Sequence, residues 1–227
     1  MCGRFSQGEP SRHISDYFGA YPDEDLPDGL FNVPPTETIR MIVQRDGDRR
    51  LVSARWGFQP FWTASATGAA RSWINARAET AFASPAFGPA LRATRCVIPA
   101  EAFYEWDRSA TPRQPYAIGP AERSEMLALA GIWSASRDLG VTAAILTIRP
   151  NDLVAPIHNR MPVILPPDLL DAWLDPEAEP ADLEPMLAPA AEESLRIWPV
   201  STEVNRVAAD GPHLLEPIEL PATLGLA

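Results

Sequence analysis

Proline interrupts this chain so often that long helices are excluded. Proline accounts for 25 of the 227 residues, and the prolines are spread along the whole chain. Because proline lacks a backbone N–H and fixes φ, it ends helices and stays out of central strands. The apolar runs between the prolines, such as residues 127–133 and 141–148, have the length of buried strands. The sequence therefore predicts an α+β fold, a single domain with a curved, mainly antiparallel, barrel-like β core and short flanking helices.

Local patterns place further elements along the chain. A short helix is predicted from Ser11 to Phe18, with Ser11 as its N-cap and Gly19 just beyond its end. Two strands, at residues 39–44 and 51–56, flank the turn Asp46-Gly47-Asp48. Other strands are predicted at residues 96–98, 103–106, 127–133, 141–148, 161–165 and 196–200, and short helices at residues 85–92 and 169–174.

The charged residues exclude several classes of chemistry. All 19 basic residues are arginine, which rules out a Walker P-loop, a Schiff-base lysine and a Ser-Lys dyad. The net charge of −11 comes from residues 121–227, which hold 6 arginines and 17 acids, while residues 1–120 hold 13 of each. This balance argues against a general nucleic-acid coat, but it allows a local basic groove because salt screens charges beyond about 8–10 Å.

Cysteine and histidine are too few for a structural framework. Two cysteines and three histidines, without metal-ligand spacing, predict no disulfide framework, no metal site and no cofactor. The N-terminus is charged, and no apolar run approaches the about 20 residues that a membrane span needs. We therefore expect a cytoplasmic protein that does not bind membranes.

The first residues form a potential reagent. The chain begins Met1-Cys2-Gly3, and Met1 is removable because the residue after it is small. Removal of Met1 would leave Cys2 with an α-amine of pKa about 7.7–8.0 beside a thiol of pKa about 8.5. Such a 1,2-aminothiol condenses with an aldehyde to a thiazolidine, or attacks an acyl carbon with the amine as base. An ordinary buried start residue is the alternative interpretation.

Polar residues in residues 73–80 form a second candidate. In an extended chain, Asn75, Arg77 and Glu79 would share one face. Arg77 can then clamp a phosphate, and Asn75 can hold the terminal amine through its side-chain oxygen. A solvated edge strand explains the same pattern.

Two further segments carry acid–base candidates. Residues 102–106 embed Glu105 among aromatic residues, where burial raises the pKa of a carboxyl and suits it to proton transfer. His158 lies in a loop beside Arg160, with an imidazole suited to acid–base work and a guanidinium suited to phosphate. The alternatives are a glutamate paired with an arginine and a structural histidine.

Aromatic residues concentrate at residues 56–62. Trp56 and Trp62 flank Gly57 and Pro60, and such a loop can stack on unpaired bases at about 1–3 kcal/mol per base. A loop that plugs the core is the other interpretation.

Seven segments in order resemble the SRAP family, the SOS response-associated peptidases or abasic-site processing proteins. They are Met-Cys-Gly-Arg-Phe at 1–5, Phe-Asn-Val-Pro-Pro-Thr at 31–36, Trp-Gly-Phe-Gln-Pro-Phe-Trp at 56–62, Asn-Ala-Arg-Ala-Glu-Thr at 75–80, Arg-Cys-Val-Ile-Pro-Ala-Glu-Ala-Phe-Tyr-Glu-Trp at 95–106, Ala-Gly-Ile-Trp at 130–133 and Ile-His-Asn-Arg-Met-Pro-Val-Ile-Leu at 157–165. With Val204-Asn205, the resemblance predicts one domain over residues 1–227, with a core at about 2–206 and a C-terminal tail at about 207–227. Residues 147–151 depart from the family's pattern, and no DNA contact is assigned to them.

The resemblance implies a role in the response to DNA damage. The chain would bind abasic sites in single-stranded DNA, also at junctions with duplex, and form a thiazolidine crosslink that shields the lesion; DNA lyase activity is a further expectation. Cys2 would be the reagent, Asn75 would orient its amine, and Glu105 and His158 would move protons. Glu105 would also take part in removing Met1, the family's peptidase-like activity.

The resemblance also implies the residues that contact DNA, namely Arg4, Arg77 and Arg160 on phosphates and Trp56 and Trp62 on bases. We expect a monomer that associates with the nucleoid when bound to DNA. Three other functions fit parts of the sequence. They are an N-terminal-nucleophile amidohydrolase, a thiol protease that uses Cys2 and His158, and a non-covalent binding module.

Overall fold

A computed structural model describes residues 2–63, 72–107 and 111–220. Its strands are β1 (Phe5–Gln7), β2 (Tyr21–Pro22), β3 (Leu30–Val33), β4 (Thr38–Arg45), β5 (Asp48–Trp56), β6 (Asn75–Arg77), β7 (Arg95–Ala100), β8 (Ala102–Asp107), β9 (Gln114–Pro120), β10 (Leu127–Ser136), β11 (Gly140–Ile148), β12 (Met161–Pro162) and β13 (Leu195–Pro199). Its α-helices are α1 (Ser11–Phe18), α2 (Ala78–Ala81), α3 (Gly88–Ala93), α4 (Leu170–Leu174) and α5 (Pro180–Leu183). Short 3-10 helices lie at Pro167–Leu169, Glu184–Met186, Glu192–Ser194, Thr202–Asn205 and Pro212–Leu215. None of the helices in the described ranges has the length and apolar character that crossing a bilayer requires.

Five strands close into a barrel. The order β5–β4–β7–β10–β11 is antiparallel throughout, and a parallel pairing of β11 with β5 completes the ring. Its wall is built from the apolar runs, and Leu129, Ile132 and Ile145 in these runs are each fully buried. The α+β fold with a barrel-like core is thus confirmed. Parallel pairings of β2 with β5 and of β6 with β11 add to the mainly antiparallel pattern.

A second sheet, in the order β13–β9–β8–β1–β3, packs against the barrel and carries the N-terminus. Side chains along β8 alternate between two hydrophobic clusters: Phe103 belongs to the main core, whereas Tyr104 belongs to a smaller cluster with Val204. The two faces of β8 therefore have different neighbours, and this separates the predicted site residues below.

The predicted helix at Ser11 to Phe18 and the hairpin around Asp46 are confirmed. The hairpin turn places Asp46 and Gly47 at φ values of 53° and 89°, and the helix ends at Gly19 with φ 60°. The N-cap prediction is wrong. Pro10 is the N-cap, and the Ser11 hydroxyl instead accepts a hydrogen bond from Arg40, because the buried guanidinium needs acceptors.

The prediction of one extended face over residues 73–80 is wrong in its second half. The chain is extended in β6 only as far as Arg77, and α2 begins at Ala78. Glu79 therefore lies in the first turn of a helix, where it reaches a different partner from the one that an extended strand would give it.

Candidate active site

The strand register brings the N-terminus to Glu105. β1 and β8 are antiparallel with Phe5 opposite Phe103, and the Tyr104 N–H donates to the Arg4 carbonyl over 2.9 Å. Continued towards the N-terminus, this register places Gly3 opposite Glu105. Because Glu105 alternates with Tyr104, it shares the face of Phe103 and points toward the main core.

Asn75 ties Cys2 to the barrel. Asn75 is the first residue of β6, which pairs with β11, and its Nδ2 donates to the Cys2 carbonyl over 2.8 Å. The Oδ1 atom of the same amide is buried and accepts no hydrogen bond from any residue that the structure describes. One end of the amide thus positions Cys2, and the other end is available to accept a hydrogen bond.

The Cys2 thiol is buried and protonated. Its side chain has no solvent exposure, and burial raises the pKa of the thiol far above its ordinary value. The negative charge of Glu105 raises this pKa further. The thiol is therefore a poor nucleophile near neutral pH unless a base takes its proton or a nearby positive charge lowers its pKa.

Glu105 and His158 form a buried acid–base pair. The His158 Nδ1 atom and the Glu105 Oε1 atom are 3.7 Å apart, and both side chains are more than nine-tenths buried. The Arg160 backbone N–H donates to the same Nδ1 over 3.0 Å. The same Nδ1 also lies 3.1 Å from the Arg160 carbonyl oxygen, so the backbone of Arg160 fixes the orientation of the imidazole ring whichever nitrogen carries the proton.

Arg160 forms an ion pair with Glu79, for which the sequence analysis predicted no partner. Its guanidinium forms a two-pronged ion pair with Glu79, with distances of 2.5 and 2.8 Å, and also donates to the Thr147 carbonyl. The hydrogen bond from Arg160 lowers the pKa of Glu79 to about 2, so the pair stays ionised. The expected phosphate contact of Arg160 stays a prediction, and in this structure the side chain fixes the loop that carries His158.

Arg77 and Arg4 differ in exposure and in their hydrogen-bond partners. Arg77 ends β6 with an exposed guanidinium that makes no hydrogen bond or ion pair to a described residue. Arg4 is half-buried and donates to Asn32 Oδ1 over 2.7 Å and to the Val204 carbonyl over 3.1 Å. Because Val204 belongs to the smaller cluster, Arg4 lies on the face of the sheet opposite Glu105. These bonds hold the C-terminal segment in place, and the phosphate contact of Arg4 stays a prediction.

The two tryptophans also differ. Trp56 is fully buried, donates from its indole to the Ile74 carbonyl over 2.9 Å and packs edge-on against Phe5. The expectation that Trp56 stacks on a base is corrected by this burial, because no base can reach the ring. Trp62 is 46% exposed beside the exposed Phe61, so its ring remains accessible.

The sequence analysis did not identify Glu79 as the ion-pair partner of Arg160, or Arg149 as a residue near Arg77. The alternation of polar residues in 73–80 drew notice to Glu79, but only the fold shows that it pairs with Arg160, 81 positions later. Arg149 follows β11, whose Thr147 pairs with Arg77, and it is exposed. No signal in its own segment points to it. Within the described ranges, no group of three or more His, Cys, Asp or Glu residues has metal-ligand geometry.

The chain is similar over most of its length to proteins of one family. A profile of the SOS response associated peptidase (SRAP) family matches residues 1–207. Abasic site processing protein YoqW of Bacillus subtilis is 35% identical over 226 residues, which cover 95% of this chain and 99% of that protein. Abasic site processing protein YedK of Escherichia coli is 28% identical and covers 96% of this chain and 100% of its own length.

The similarity extends to an animal protein and to solved structures. Abasic site processing protein HMCES of Gallus gallus is 34% identical over 82% of this chain and 64% of that protein. A crystal structure of a Bacteroides thetaiotaomicron protein superposes with a TM-score of 0.83 at 22% identity, over 96% of this chain and 100% of that one, which supports the fold alone. A Bordetella bronchiseptica structure has a TM-score of 0.75 at 27% identity, over 88% and 100% of the two chains.

Proposed function

Because the chain belongs to the SOS response associated peptidase (SRAP) family, we propose that it processes abasic sites in single-stranded DNA through a covalent bond to Cys2. Relatives across bacteria and animals bear the name abasic site processing protein, which supports the lesion as the substrate. The chain would act in the response to DNA damage, in the cytoplasm and on the nucleoid. No cofactor enters the reaction that follows.

One observation carries the proposal. The Asn75 amide donates to the carbonyl of Cys2 and keeps a buried oxygen without a described partner. A buried acceptor without a donor costs about 1–3 kcal/mol, so its presence calls for a ligand group. Hydrolysis of the Met1–Cys2 peptide bond would supply that group, because the new α-amine lies two bonds from the carbonyl that Asn75 already holds.

The chemistry begins at the amine. An abasic sugar exists mainly as a closed hemiacetal, and opening it requires a proton on the ring oxygen as the C1′ aldehyde forms. His158, as an imidazolium, would donate this proton and become neutral, and the proton of the C1′ hydroxyl would leave to solvent; Glu105 would accept a proton from the ammonium of Cys2. The neutral amine then attacks C1′ and expels the carbonyl oxygen as water, which leaves an imine.

The thiol completes the ring. The sulfur of Cys2 adds to the imine carbon, and its proton goes to the nitrogen. One C–N bond and one C–S bond have formed, and one water has been lost overall. The raised pKa of the thiol favours this order, because a protonated thiol leaves the first attack to the amine. Intact DNA offers no aldehyde, so the covalent step selects the lesion.

Other residues would hold the DNA around the lesion. Arg77 has an exposed guanidinium without a described partner, so we assign it to a flanking phosphate. Trp62 would stack on an unpaired base. DNA lyase activity and the removal of Met1 by Glu105 belong to the same proposal. A preference for junctions with duplex and the monomeric state stay predictions.

The test is trapping of the adduct. The mature chain is mixed with a single-stranded oligonucleotide that contains one abasic site, and the product is examined by denaturing electrophoresis and intact mass. We expect the mass of protein plus DNA less one water, and borohydride should add no hydride because the thiazolidine is closed. Cys96→Ala removes the other thiol, which is fully buried in β7, and should leave the adduct yield unchanged.

Two variants test whether both the amine and the thiol of Cys2 are needed. A chain with an uncleaved N-terminal extension keeps the thiol but lacks the free amine, and Cys2→Ala keeps the amine but lacks the thiol. We expect no stable adduct from the first and only a borohydride-dependent adduct from the second. Thiazolidine formation by the extended chain would refute the aminothiol mechanism, and glutamate release from glutamine without any adduct would favour an amidohydrolase.

A further inference from the structure

Three arginines meet at one edge of the barrel. Thr147 of β11 is paired with Arg77 of β6, and because the two strands are parallel, their carboxyl ends lie at the same edge. Arg149 follows Thr147 by two residues, and the guanidinium of Arg160 reaches the Thr147 carbonyl. The edge therefore gathers Arg77, Arg149 and Arg160 although they come from three separate segments.

Only one of these three cations is neutralised. Glu79 binds Arg160 with both carboxylate oxygens, and its pKa of about 2 keeps the negative charge in place. Arg77 and Arg149 are both exposed, and neither guanidinium forms a hydrogen bond or ion pair with a residue that the structure describes. Among the described residues, the edge thus carries two arginines without an ion-pair partner, in a chain whose net charge is −11.

The backbone around the two free cations is fixed. The Arg160 guanidinium donates to both oxygens of the Glu79 carboxylate and also to the carbonyl of Thr147, two residues before Arg149. The same carboxylate lies two residues after Arg77 in the chain. The Glu79–Arg160 ion pair therefore ties the carboxyl ends of β6 and β11 together, which reduces the conformational freedom that a ligand would have to restrict.

The edge that carries Arg77 and Arg149 is close to Cys2. Arg77 is two residues from Asn75 on one extended strand, which corresponds to about 7 Å along the strand. Asn75 in turn is hydrogen-bonded to Cys2. A ligand bound between Arg77 and Arg149 would therefore lie beside Cys2 rather than in a separate groove.

We propose that Arg77 and Arg149 together form a phosphodiester site, in which Arg149 is a DNA contact and Glu79 with Arg160 is the internal ion pair that organises the two strand ends. Guanidinium groups bind phosphate oxygens in pairs of parallel hydrogen bonds, and two adjacent ones suit a chain of phosphates. The inference rests on the proposed function, since it takes single-stranded DNA as the ligand.

The test measures non-covalent binding to intact single-stranded DNA, which has no aldehyde. Kd is measured by fluorescence anisotropy from about 50 to about 200 mM salt. A lost phosphate contact lowers the slope of log Kd against log salt by about 0.7, so the ratio of Kd values across this range should fall about 2.6-fold in Arg149→Ala. Arg77→Ala should give a similar loss, and Arg149→Lys should keep the slope but bind more weakly because the paired hydrogen bonds are gone.

The matched control is Arg137→Ala. Arg137 is an exposed arginine in the turn between β10 and β11, at the opposite end of the same strand, and should leave the slope unchanged. If Arg149→Ala matches this control while Arg77→Ala lowers the slope, Arg149 is not a DNA contact and the proposal is wrong. Tighter binding of a mononucleotide than of the oligonucleotide, per phosphate, would also overturn the assignment of a phosphodiester.

The experiments distinguish failure of the proposed crosslinking reaction from failure of the proposed phosphate site. If wild-type protein binds intact DNA with the expected slopes but forms no adduct with abasic DNA, then the phosphate site stands and the aminothiol mechanism falls. If the adduct forms normally in Arg149→Ala at saturating DNA while the slopes do not change, then the mechanism stands and the phosphate site falls. Absence of any salt-dependent binding would refute the phosphate site as well.

Discussion

Two buried polar clusters of this protein are built from similar groups but differ in how completely they are bonded. The first surrounds Arg40, which is 1% exposed and donates to the carbonyls of Gln7 and Glu9 and to the hydroxyl of Ser11. The Gln7 side chain in turn uses both ends, donating to the Arg40 and Pro99 carbonyls and accepting from the Arg40 N–H. Every polar group of this Arg40 cluster has a partner within the protein.

The second cluster surrounds Cys2. Asn75 uses one end of its amide and leaves the buried oxygen at the other end without a described partner. Glu105 and His158 lie 3.7 Å apart in the same cluster, with both side chains more than nine-tenths buried. The comparison indicates that completed bonds serve stability, whereas an incomplete set of bonds is retained for a ligand, because an orphaned buried acceptor otherwise lowers stability.

The largest expected effect is a loss of stability when the Arg40 cluster is disrupted. Arg40→Met leaves the buried carbonyls of Gln7 and Glu9 without donors, so the free energy of unfolding should fall by about 3 kcal/mol. Denaturant titration measures this loss. The exposed Arg45, which is 3.8 Å from Asp23, provides the control, and Arg45→Met should change stability by less than about 0.5 kcal/mol. Equal effects at the two positions would remove the distinction between the clusters.

The incomplete cluster should behave in the opposite way. Asn75→Ala removes a hydrogen bond together with an unpaired buried oxygen, so the two effects offset and stability should change by less than about 1 kcal/mol. Crosslinking to abasic DNA should slow by about 10²-fold, because the amine loses its alignment. Denaturation and single-turnover kinetics are measured on the same preparation. A large loss of stability with a normal crosslinking rate would contradict the assignment.

A smaller effect is expected at the thiol. Burial is the larger cause of the raised Cys2 pKa, and the charge of Glu105 is the second. Glu105→Gln removes that negative charge, so the pKa should fall while staying above the ordinary value of a cysteine. Thiolate absorbance during a pH titration in the Cys96→Ala background measures the shift. The exposed Glu125 serves as control, and a downward shift in Glu125→Gln of equal size would exclude a local effect.

The smallest effect concerns the ion pair between Glu79 and Arg160. The pKa of Glu79 is lowered from 4.5 to about 2, so the ion pair stabilises the fold fully above pH 4.5 and loses this contribution as the pH falls through about 2. Because the Glu79 side chain is 44% exposed, solvent screens the pair and the contribution should stay below about 1 kcal/mol.

Glu79→Gln tests this contribution. The difference in unfolding free energy between wild type and Glu79→Gln should shrink as the pH falls from 4.5 towards 2, and added salt should shrink it as well. Urea denaturation at a series of pH values measures it. A difference that grows on acidification would contradict the ion pair as the cause.

Short-range patterns predicted the elements well where one environment covers the whole segment. The helix Ser11–Phe18 has apolar residues on one face, and the runs in β10 and β11 are apolar throughout because both strands lie in the barrel wall. The prediction failed at residues 73–80, where the environment changes within the segment. Pairing with β11 ends at Arg77, and α2 begins at once.

The candidate site residues were predicted from their motifs, but the burial and partners of each side chain were not. Trp56 and Trp62 share one aromatic segment, yet the first lies in the core and the second is exposed. Arg4 and Phe5 are adjacent, yet alternation along β1 sends them to opposite faces of the sheet. Composition and spacing do not contain this information, because burial depends on which distant strand is the neighbour.

The sequence by itself determined the chemistry that is available: a cysteine directly after Met1, no lysine, and prolines too frequent to allow long helices. These are properties of residue type and local order, so they need no folding to be known. Only the tertiary structure decided which arginines are occupied, since Arg160 meets Glu79 across 81 residues and Arg4 meets Val204 across 200. Such pairings arise because segments that are remote in the chain become neighbours in the fold, and proximity in space then decides which charges are neutralised.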